Sequence, residues 1–287
     1  MNKVVIITGA SSGIGQSTRE LFLKNGDIVY NLSLNCEEDE FNFKCDVSNE
    51  ERVKQIINQI GGKYKHIDTL INCAGYGISG AMELTSEKDF SKIFDVNTKG
   101  TFLTIKYCLP YMIANSHIIN ISSTCALFPV PYRSLYCASK SAVSMISYGF
   151  ALELKESKIK VCTICPGEVK TNFTKNRVKN FDTNERYAGR IANAAYAIDR
   201  KDGKRMPAIK VASKIFKIAN SEKVKPMIIV GFKMKLLYFF SKFVPFKVLM
   251  FFTDKFMGGH KHFKNNPYLS SNTEDKTDLT ANIDYKK

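Results

Sequence analysis

Tyr136 and Lys140, in the run Tyr136-Cys-Ala-Ser-Lys140, are the residues best suited to proton chemistry. The segment around them, Ser134 to Lys155, reads as a long helix with apolar residues at Val143, Ile146, Phe150 and Leu154. Residues four apart on a helix share a face, so the Lys140 ammonium can sit near the Tyr136 phenol. A free phenol titrates near ~10, and a neighbouring cation favours its ionised form. That moves it toward the range where it can give or take a proton. Alone, such a pair is an ordinary exposed helix face. Ser123 changes the reading, because it follows the apolar run His117–Ile121, which reads as a strand. Open α/β sheets bind ligands beyond the C-terminal ends of their strands, where a serine hydroxyl can hold a substrate oxygen. Ser122 is the adjacent alternative.

A second constellation lies near the start. Thr8-Gly-Ala-Ser-Ser-Gly-Ile-Gly15 follows the strand-like run Lys3–Thr8 and opens a helix. Glycine at 9, 13 and 15 lets the backbone turn tightly and approach a pyrophosphate, while the helix N-terminus offers free N–H groups. A merely structural turn needs one glycine.

Both constellations need a scaffold of buried strands. Candidates are Lys3–Thr8, Ile28–Ser33, Phe41–Lys44, Thr69–Cys73, His117–Ile121, Lys160–Ile164 and Met227–Val230. Most are unbroken apolar runs, as in parallel strands covered on both faces. Helix patterns lie between them. Ser48-Asn-Glu-Glu51 reads as a capping box for a helix ending near Gly61-Gly62. The alternation predicts an α/β fold: a doubly wound parallel sheet of the Rossmann type, in one catalytic domain over residues 1–231. Within it, 172–210 is polar and irregular. Residues 232–264 form a basic amphipathic extension, and 265–287 read as a disordered tail.

With the motifs in this order, the sequence resembles the short-chain dehydrogenase/reductase family. Thr8–Gly15 matches its TGxxxGxG form, and Asp46-Val47 its adenine-contacting pair. Asn72-Cys-Ala-Gly75 matches its NNAG motif, with Cys73 in place of the second asparagine. Asn97 stands at the family's helix asparagine. Ser123, Tyr136 and Lys140 match the catalytic set, and Pro166-Gly-Glu-Val-Lys-Thr171 matches the PGxVxT segment at the nicotinamide end. The resemblance implies a catalytic set of Asn97, Ser123, Tyr136 and Lys140, with Asn97 ordering a water between Lys140 and solvent. It implies cofactor contacts from Gly9, Ser11, Ser12, Gly13, Ile14, Gly15, Ser33, Asp46, Val47, Asn72, Ala74, Gly75, Tyr136, Lys140, Pro166, Gly167, Val169 and Thr171. It also implies a substrate lid at about 172–210 and a homo-oligomer. No zinc-like spacing appears among the four histidines and eight cysteines, so no metal is expected.

The choice of cofactor turns on the end of the second strand. An acid that bonds a ribose 2′-OH belongs at about Ser33, and none is there, which favours NADP over NAD. Against NADP, no arginine stands at that strand end, Ser12 occupies a position that some NADP enzymes make basic, and Glu37-Glu-Asp-Glu40 follows closely.

Composition supports a globular protein: 287 residues, 44% hydrophobic and 24% charged. The net charge of +15 is concentrated. Residues 200–264 hold 16 basic and 3 acidic residues, against 23 and 20 in residues 1–199. Nucleic acid is a poor partner, because the aromatic residues of this region sit in apolar clusters. Met1 is followed at once by a strand, with no signal-peptide pattern, so the expectation is a cytoplasmic protein with reduced thiols. The Cys162 and Cys165 pair lies on a strand, where residues three apart face opposite ways.

The segment from Phe232 to Phe252 mixes bulky apolar residues with Lys233, Lys235, Lys242 and Lys247, and is divided by Pro245. It can cover a greasy substrate, lie peripherally in a membrane interface, or bury a subunit contact. Its layout resembles the hydroxysteroid and retinol dehydrogenase branch. The expected function is NAD(P)-dependent interconversion of a secondary alcohol and a ketone on a lipophilic small molecule. The rivals are a 3-oxoacyl-thioester reductase and a non-catalytic dinucleotide sensor.

Overall fold

The computed structural model describes residues 2–200, 203, 205–263 and 265–270. Among these residues the strands are β1 Val4–Thr8, β2 Ile28–Ser33, β3 Asn42–Lys44, β4 Thr69–Asn72, β5 Ile78–Ser79, β6 His117–Ile121, β7 Lys160–Pro166, β8 Val169–Lys170, β9 Val178–Lys179, β10 Met206–Pro207 and β11 Met227–Val230. Seven of them form one parallel sheet in the order β11-β7-β6-β4-β1-β2-β3. The reversal between β1 and β4 opens the crevice in which such sheets hold ligands.

Alternating side chains feed two cores. Val4, Ile6, Leu32, Leu70 and Ile118 pack with Val53, Ile56 and Ile57 of α2 (Glu50–Tyr64) and Leu103 of α4 (Gly100–Cys108). Val5, Ile7, Val29, Ile71 and Ile119 pack with Phe22 of α1 (Gly13–Lys24) and Val211 and Ile215 of α7 (Ala208–Ala219). Both faces are therefore covered, which is why the strands read as unbroken apolar runs. Cys162 lies in the second core, whereas Cys165 meets Ser122 and Ser144 on the opposite face. All eight cysteines are free.

Several local expectations are corrected. Helix α2 is capped by Asn49, whose side chain accepts from Arg52 N at 3.0 Å, and not by Ser48, whose hydroxyl donates to Asp46 Oδ1 at 2.7 Å. The helix also runs through Gly61-Gly62 and closes on Lys65, at φ 63°. Gly61 serves packing: a Cβ there would lie 2.4 Å from the Tyr111 ring.

The 172–210 stretch is more regular than its polarity suggests. It contains α6 (Arg190–Asp199), which buries Ile191, Ala192, Ala194 and Ala195. Buried Arg177 donates to Ser79 Oγ at 3.0 Å and pairs with Asp199, which also binds Lys179 at 3.0 Å and Tyr268 Oη. The expected disordered tail starts too early. Asn266 bonds Asn193 at 3.0 Å, and Pro267–Ser270 form a short helix, α10, beside α6. The rest of that tail, 271–287, lies outside the described residues. Helices α8 (Phe232–Ser241) and α9 (Phe246–Met257) follow β11. Among the described residues, no helix is long and apolar enough to cross a membrane.

Candidate active site

The glycine loop between β1 and α1 is shaped by close approach. Gly9 has φ 71°, and a Cβ on it would lie 2.9 Å from the Ala74 backbone. A Cβ on Gly15 would lie 2.3 Å from Gly9 O. The turn is fastened to the end of β2 by a residue the sequence reading passed over. Asn31 Oδ1 accepts from Ala10 N at 3.1 Å and Ser33 Oγ at 2.6 Å, while its Nδ2 donates to Ser11 Oγ at 3.1 Å. A polar residue inside an apolar strand was the available signal. Ser33 is buried and also accepts from Ser11 N at 3.3 Å, so its hydroxyl is committed to holding the loop.

The other cofactor-set residues divide into two groups. Ala74 N donates to Thr8 Oγ1 at 3.0 Å, which brings the Cys73–Gly75 turn against the loop. Thr171 reaches over the loop, 3.1 Å from where a Gly13 Cβ would stand. Gly167 N donates to Val230 O at 3.0 Å, and Val169 pairs with Met206. Ser12 and Asp46 are exposed. By contrast, Asn72 is buried and engaged within the fold: it donates to Asn120 Oδ1 at 2.8 Å and accepts from Thr104 Oγ1 at 2.7 Å. Val47 packs on Gly100, and Ile14 packs on the second core.

Helix α5 (Ser134–Glu153) carries Tyr136, Ser139, Lys140 and Ser144 into one buried cluster. Ser123, just past β6, stands beside the Tyr136 phenol, and its Oγ accepts from Cys125 N at 3.1 Å. Ser122 points elsewhere: it donates to Lys140 O at 2.8 Å and accepts from Ser144 Oγ at 2.8 Å. Lys140 Nζ donates to Ile121 O at 2.9 Å and approaches Gly75, where a Cβ would be 3.3 Å away. Asn97 sits in a widened π turn, Asp95–Lys99, a feature often found at functional sites. Its side chain bonds both Tyr76 N and Tyr76 O at 3.0 Å and donates to Ser139 Oγ at 3.0 Å. Asn97 thus ties the Gly75-Tyr76 backbone to the helix bearing Tyr136.

The chain is similar to known proteins over most of its length. The sequence model of the family described as short chain dehydrogenase matches residues 3–182. The chain belongs to the short-chain dehydrogenase family. The 3-ketodihydrosphingosine reductase of Bacteroides thetaiotaomicron is 37% identical over 223 residues, 75% of this chain and 83% of that one. The 3-oxoacyl-[acyl-carrier-protein] reductase FabG of Thermotoga maritima is 34% identical over 187 residues, covering 60% and 76%. Among solved structures, ElxO with NADP bound superposes with a TM-score of 0.66 at 29% identity, covering 80% of this chain and 96% of that one. This short-chain dehydrogenase is accordingly an oxidoreductase.

Electrostatics at the Tyr136 site differ from the sequence expectation. Burial pushes the Tyr136 phenol up, with the Cys125 side chain adding to the rise. The cation most strongly opposing this is Arg133, not Lys140; its guanidinium stands 4.8 Å from the centre of the Tyr136 ring. Arg133 Nε is buried without a hydrogen-bond partner. Burial also depresses Lys140, to about 8. Cys125 is lowered to about 6, mainly by its hydrogen bond with Cys137. Phe173, from the 172–210 segment, lies 5.7 Å from the Tyr136 ring. Arg133 was findable as the residue one turn before Tyr136; Phe173 depends on how the 172–210 segment folds back and leaves no local signal.

Proposed function

We propose that this short-chain dehydrogenase reduces a ketone on a lipophilic small molecule to a secondary alcohol, with NADPH as reductant. The observation that carries the reading is the buried cluster of Ser123, Tyr136 and Lys140 beside the glycine cradle, at the C-terminal end of a parallel sheet. The cradle suits a dinucleotide, since side chains at Gly9 or Gly15 would fill the space the loop needs. Gly9, Ser11, Ser12, Gly13, the Ala74-Gly75 turn and the Pro166–Thr171 segment would hold it. When bound, the nicotinamide supplies a hydride.

The protein's part is orientation and a proton. Ser123 holds the carbonyl oxygen. Tyr136, kept protonated by burial, donates its phenolic proton to that oxygen as negative charge develops. Lys140 is held by Ile121 O and faces the Gly75 backbone, where it binds the cofactor's ribose and steadies the site's charge. Asn97 fixes the spacing between these parts.

NADPH is favoured over NADH because the end of β2 carries no acid to bond a ribose 2′-OH, and ElxO, similar in fold, binds NADP. A lipophilic ketone is favoured by the apolar rings around Tyr136. Phe173 packs on it, and Tyr76 and Phe94 pack on the same apolar cluster. The similarity to a 3-ketodihydrosphingosine reductase points to a long-chain β-keto lipid ahead of a steroid or retinoid. A 3-oxoacyl thioester is the second reading, favoured by the similarity to FabG. The test is a panel of long-chain 3-ketones, ketosteroids, retinoids and 3-oxoacyl thioesters, each with NADPH and NADH, followed by nicotinamide absorbance. Fastest turnover with a long-chain 3-ketone and NADPH supports the proposal. Turnover confined to the thioester selects the second reading, and tight dinucleotide binding with no turnover of any ketone overturns both.

A further inference from the structure

Helices α8 and α9 are built inside out. Their half-buried positions form one narrow stripe on each: Met234, Tyr238 and Ser241 on α8, and Leu249, Thr253 and Met257 on α9. Neither helix has a fully buried residue. The large apolar side chains point out: Phe232 is 80% exposed, Phe243 72%, Phe246 67% and Phe256 75%. Leu236, Leu237, Phe239, Phe240, Phe251 and Phe252 are exposed as well. The rings touch one another, at 5.3 Å for Phe239–Phe243 and 5.6 Å for Phe251–Phe252, so they form patches and not isolated residues. Contiguous exposed apolar surface of this kind marks an interaction site.

The charge around the patch identifies what it meets. Residues 232–264 contain seven lysines and one acid, Asp254. Asp254 is occupied by His260 at 2.9 Å. Lys242 lies over the Tyr238 ring at 5.0 Å and Lys255 over Phe251 at 5.9 Å. Ammonium groups set against aromatic rings beside an exposed apolar patch suit an interface between hydrocarbon and phosphate. A second copy fits poorly, because a two-fold contact would set this lysine-rich surface against itself. Helices of 10 and 12 residues are ~15–18 Å long, about half of what crosses a bilayer, and Pro245 separates them. They must therefore lie in the plane of the surface.

The stripe that faces inward reaches the catalytic cleft. Met234 Cγ stands 3.1 Å from where a Gly167 Cβ would be, and Tyr238 packs on Phe128, in the loop after Ser123. We infer that α8 and α9 seat the protein on an anionic lipid surface with the mouth of the Ser123–Tyr136 cleft turned toward the lipid. A long-chain ketone then enters from the bilayer. The entry route rests on the lipophilic-ketone reading; the docking does not.

Flotation of the full-length protein with vesicles tests this. The arms are phosphatidylcholine alone and phosphatidylcholine with phosphatidylglycerol, each at low salt and at about 0.5 M salt, where charge attraction is screened. The expected result is flotation with the anionic vesicles, reduced roughly tenfold by salt or by omitting phosphatidylglycerol. The triple variant Phe243→Ser, Phe246→Ser, Phe251→Ser should lose flotation while its NADPH affinity, unfolding midpoint and rate on a short water-soluble ketone stay unchanged. If that variant misfolds, Lys233→Glu with Lys242→Glu and Lys247→Glu should abolish flotation at low salt.

Two outcomes overturn the inference. One is wild-type protein that floats with neither vesicle. The other is a dimer in sedimentation that the same serine substitutions dissociate, which would assign the patch to a second copy. Protein that floats but reduces no ketone keeps the docking and removes the reductase reading. Protein that reduces a soluble ketone but does not float does the opposite.

Discussion

The Tyr136 cluster and the α8–α9 pair use their residues in opposite ways. In the cluster, polar side chains are buried, and most are tied to a second element: Asn97 to Tyr76 and Ser139, Ser122 to α5, and Lys140 to β6. In α8 and α9, aromatic side chains of the type that fills the core stand in water. The difference teaches that burial follows from what an element packs against. A buried polar group is tolerated when its hydrogen bonds are made inside, and an exposed ring patch is retained when another surface covers it.

The largest expected effect concerns the cluster. Tyr136→Phe keeps the ring against Phe173 and Arg133 but removes the proton donor, so turnover should fall by roughly 10²–10⁴-fold. NADPH affinity in a fluorescence titration should be unchanged. Near-normal turnover in this variant would remove Tyr136 from its role.

A paired stability measurement sharpens the contrast. Phe22 is fully buried and meets Phe216 at 5.0 Å; Phe243 is exposed. Phe22→Ala should cost about 3–5 kcal/mol in a urea unfolding titration. Phe243→Ala should stay within about 0.5 kcal/mol. Equal costs would mean that α8 is core after all, and the comparison would break.

Asp199 supplies a pH test. Burial acts to raise the Asp199 carboxyl, but hydrogen bonds from Arg177 and Tyr268 outweigh it and hold the group below its ordinary value. The folded state therefore takes up this proton less readily than the unfolded chain. The stability contributed is fully present above the ordinary carboxylate range and is lost as pH falls through the lowered value. Asp199→Asn should flatten the acid limb of stability against pH, read from thermal midpoints between pH 3 and pH 6. An unchanged limb would remove the Arg177–Asp199 pair from any role in acid stability.

The smallest effect is at Arg133, which lowers the Tyr136 phenol against the pull of burial. Arg133→Gln should shift the pH profile of alcohol oxidation to higher pH while changing reduction near neutrality little. A profile that does not move would leave Arg133 as packing alone.

Much of the sheet was legible in the sequence because strands covered on both faces leave unbroken apolar runs; Ile28–Ser33, His117–Ile121 and Met227–Val230 have the expected limits. Helix ends were less legible. Asn49 displaced Ser48 as the cap because Ser48 was drawn to Asp46, and Gly61 is set by the Tyr111 ring, far away in sequence. Helix α6 was hidden by its short alanine-rich apolar face between polar flanks. In the site, the motif spacings put Ser123, Tyr136 and Lys140 together, but the charge balance was invisible. A helical spacing shows that Lys140 is near Tyr136; it does not show that burial governs the phenol or that Arg133 covers its ring. The outward face of α8 and α9 was likewise unreadable, since an apolar period does not say which way it points.

The central claim is that the Ser123–Tyr136 cleft carries out a reduction and does not merely bind a dinucleotide. The most direct measurement uses NADPH deuterated at the transferable position of the nicotinamide, incubated with the protein and a long-chain 3-ketone, with the product examined by mass spectrometry. The expected result is an alcohol carrying one deuterium on the carbinol carbon, formed in step with NADPH consumed, and absent with Tyr136→Phe. Tight NADPH binding with no deuterated alcohol from any ketone in the panel would contradict the account.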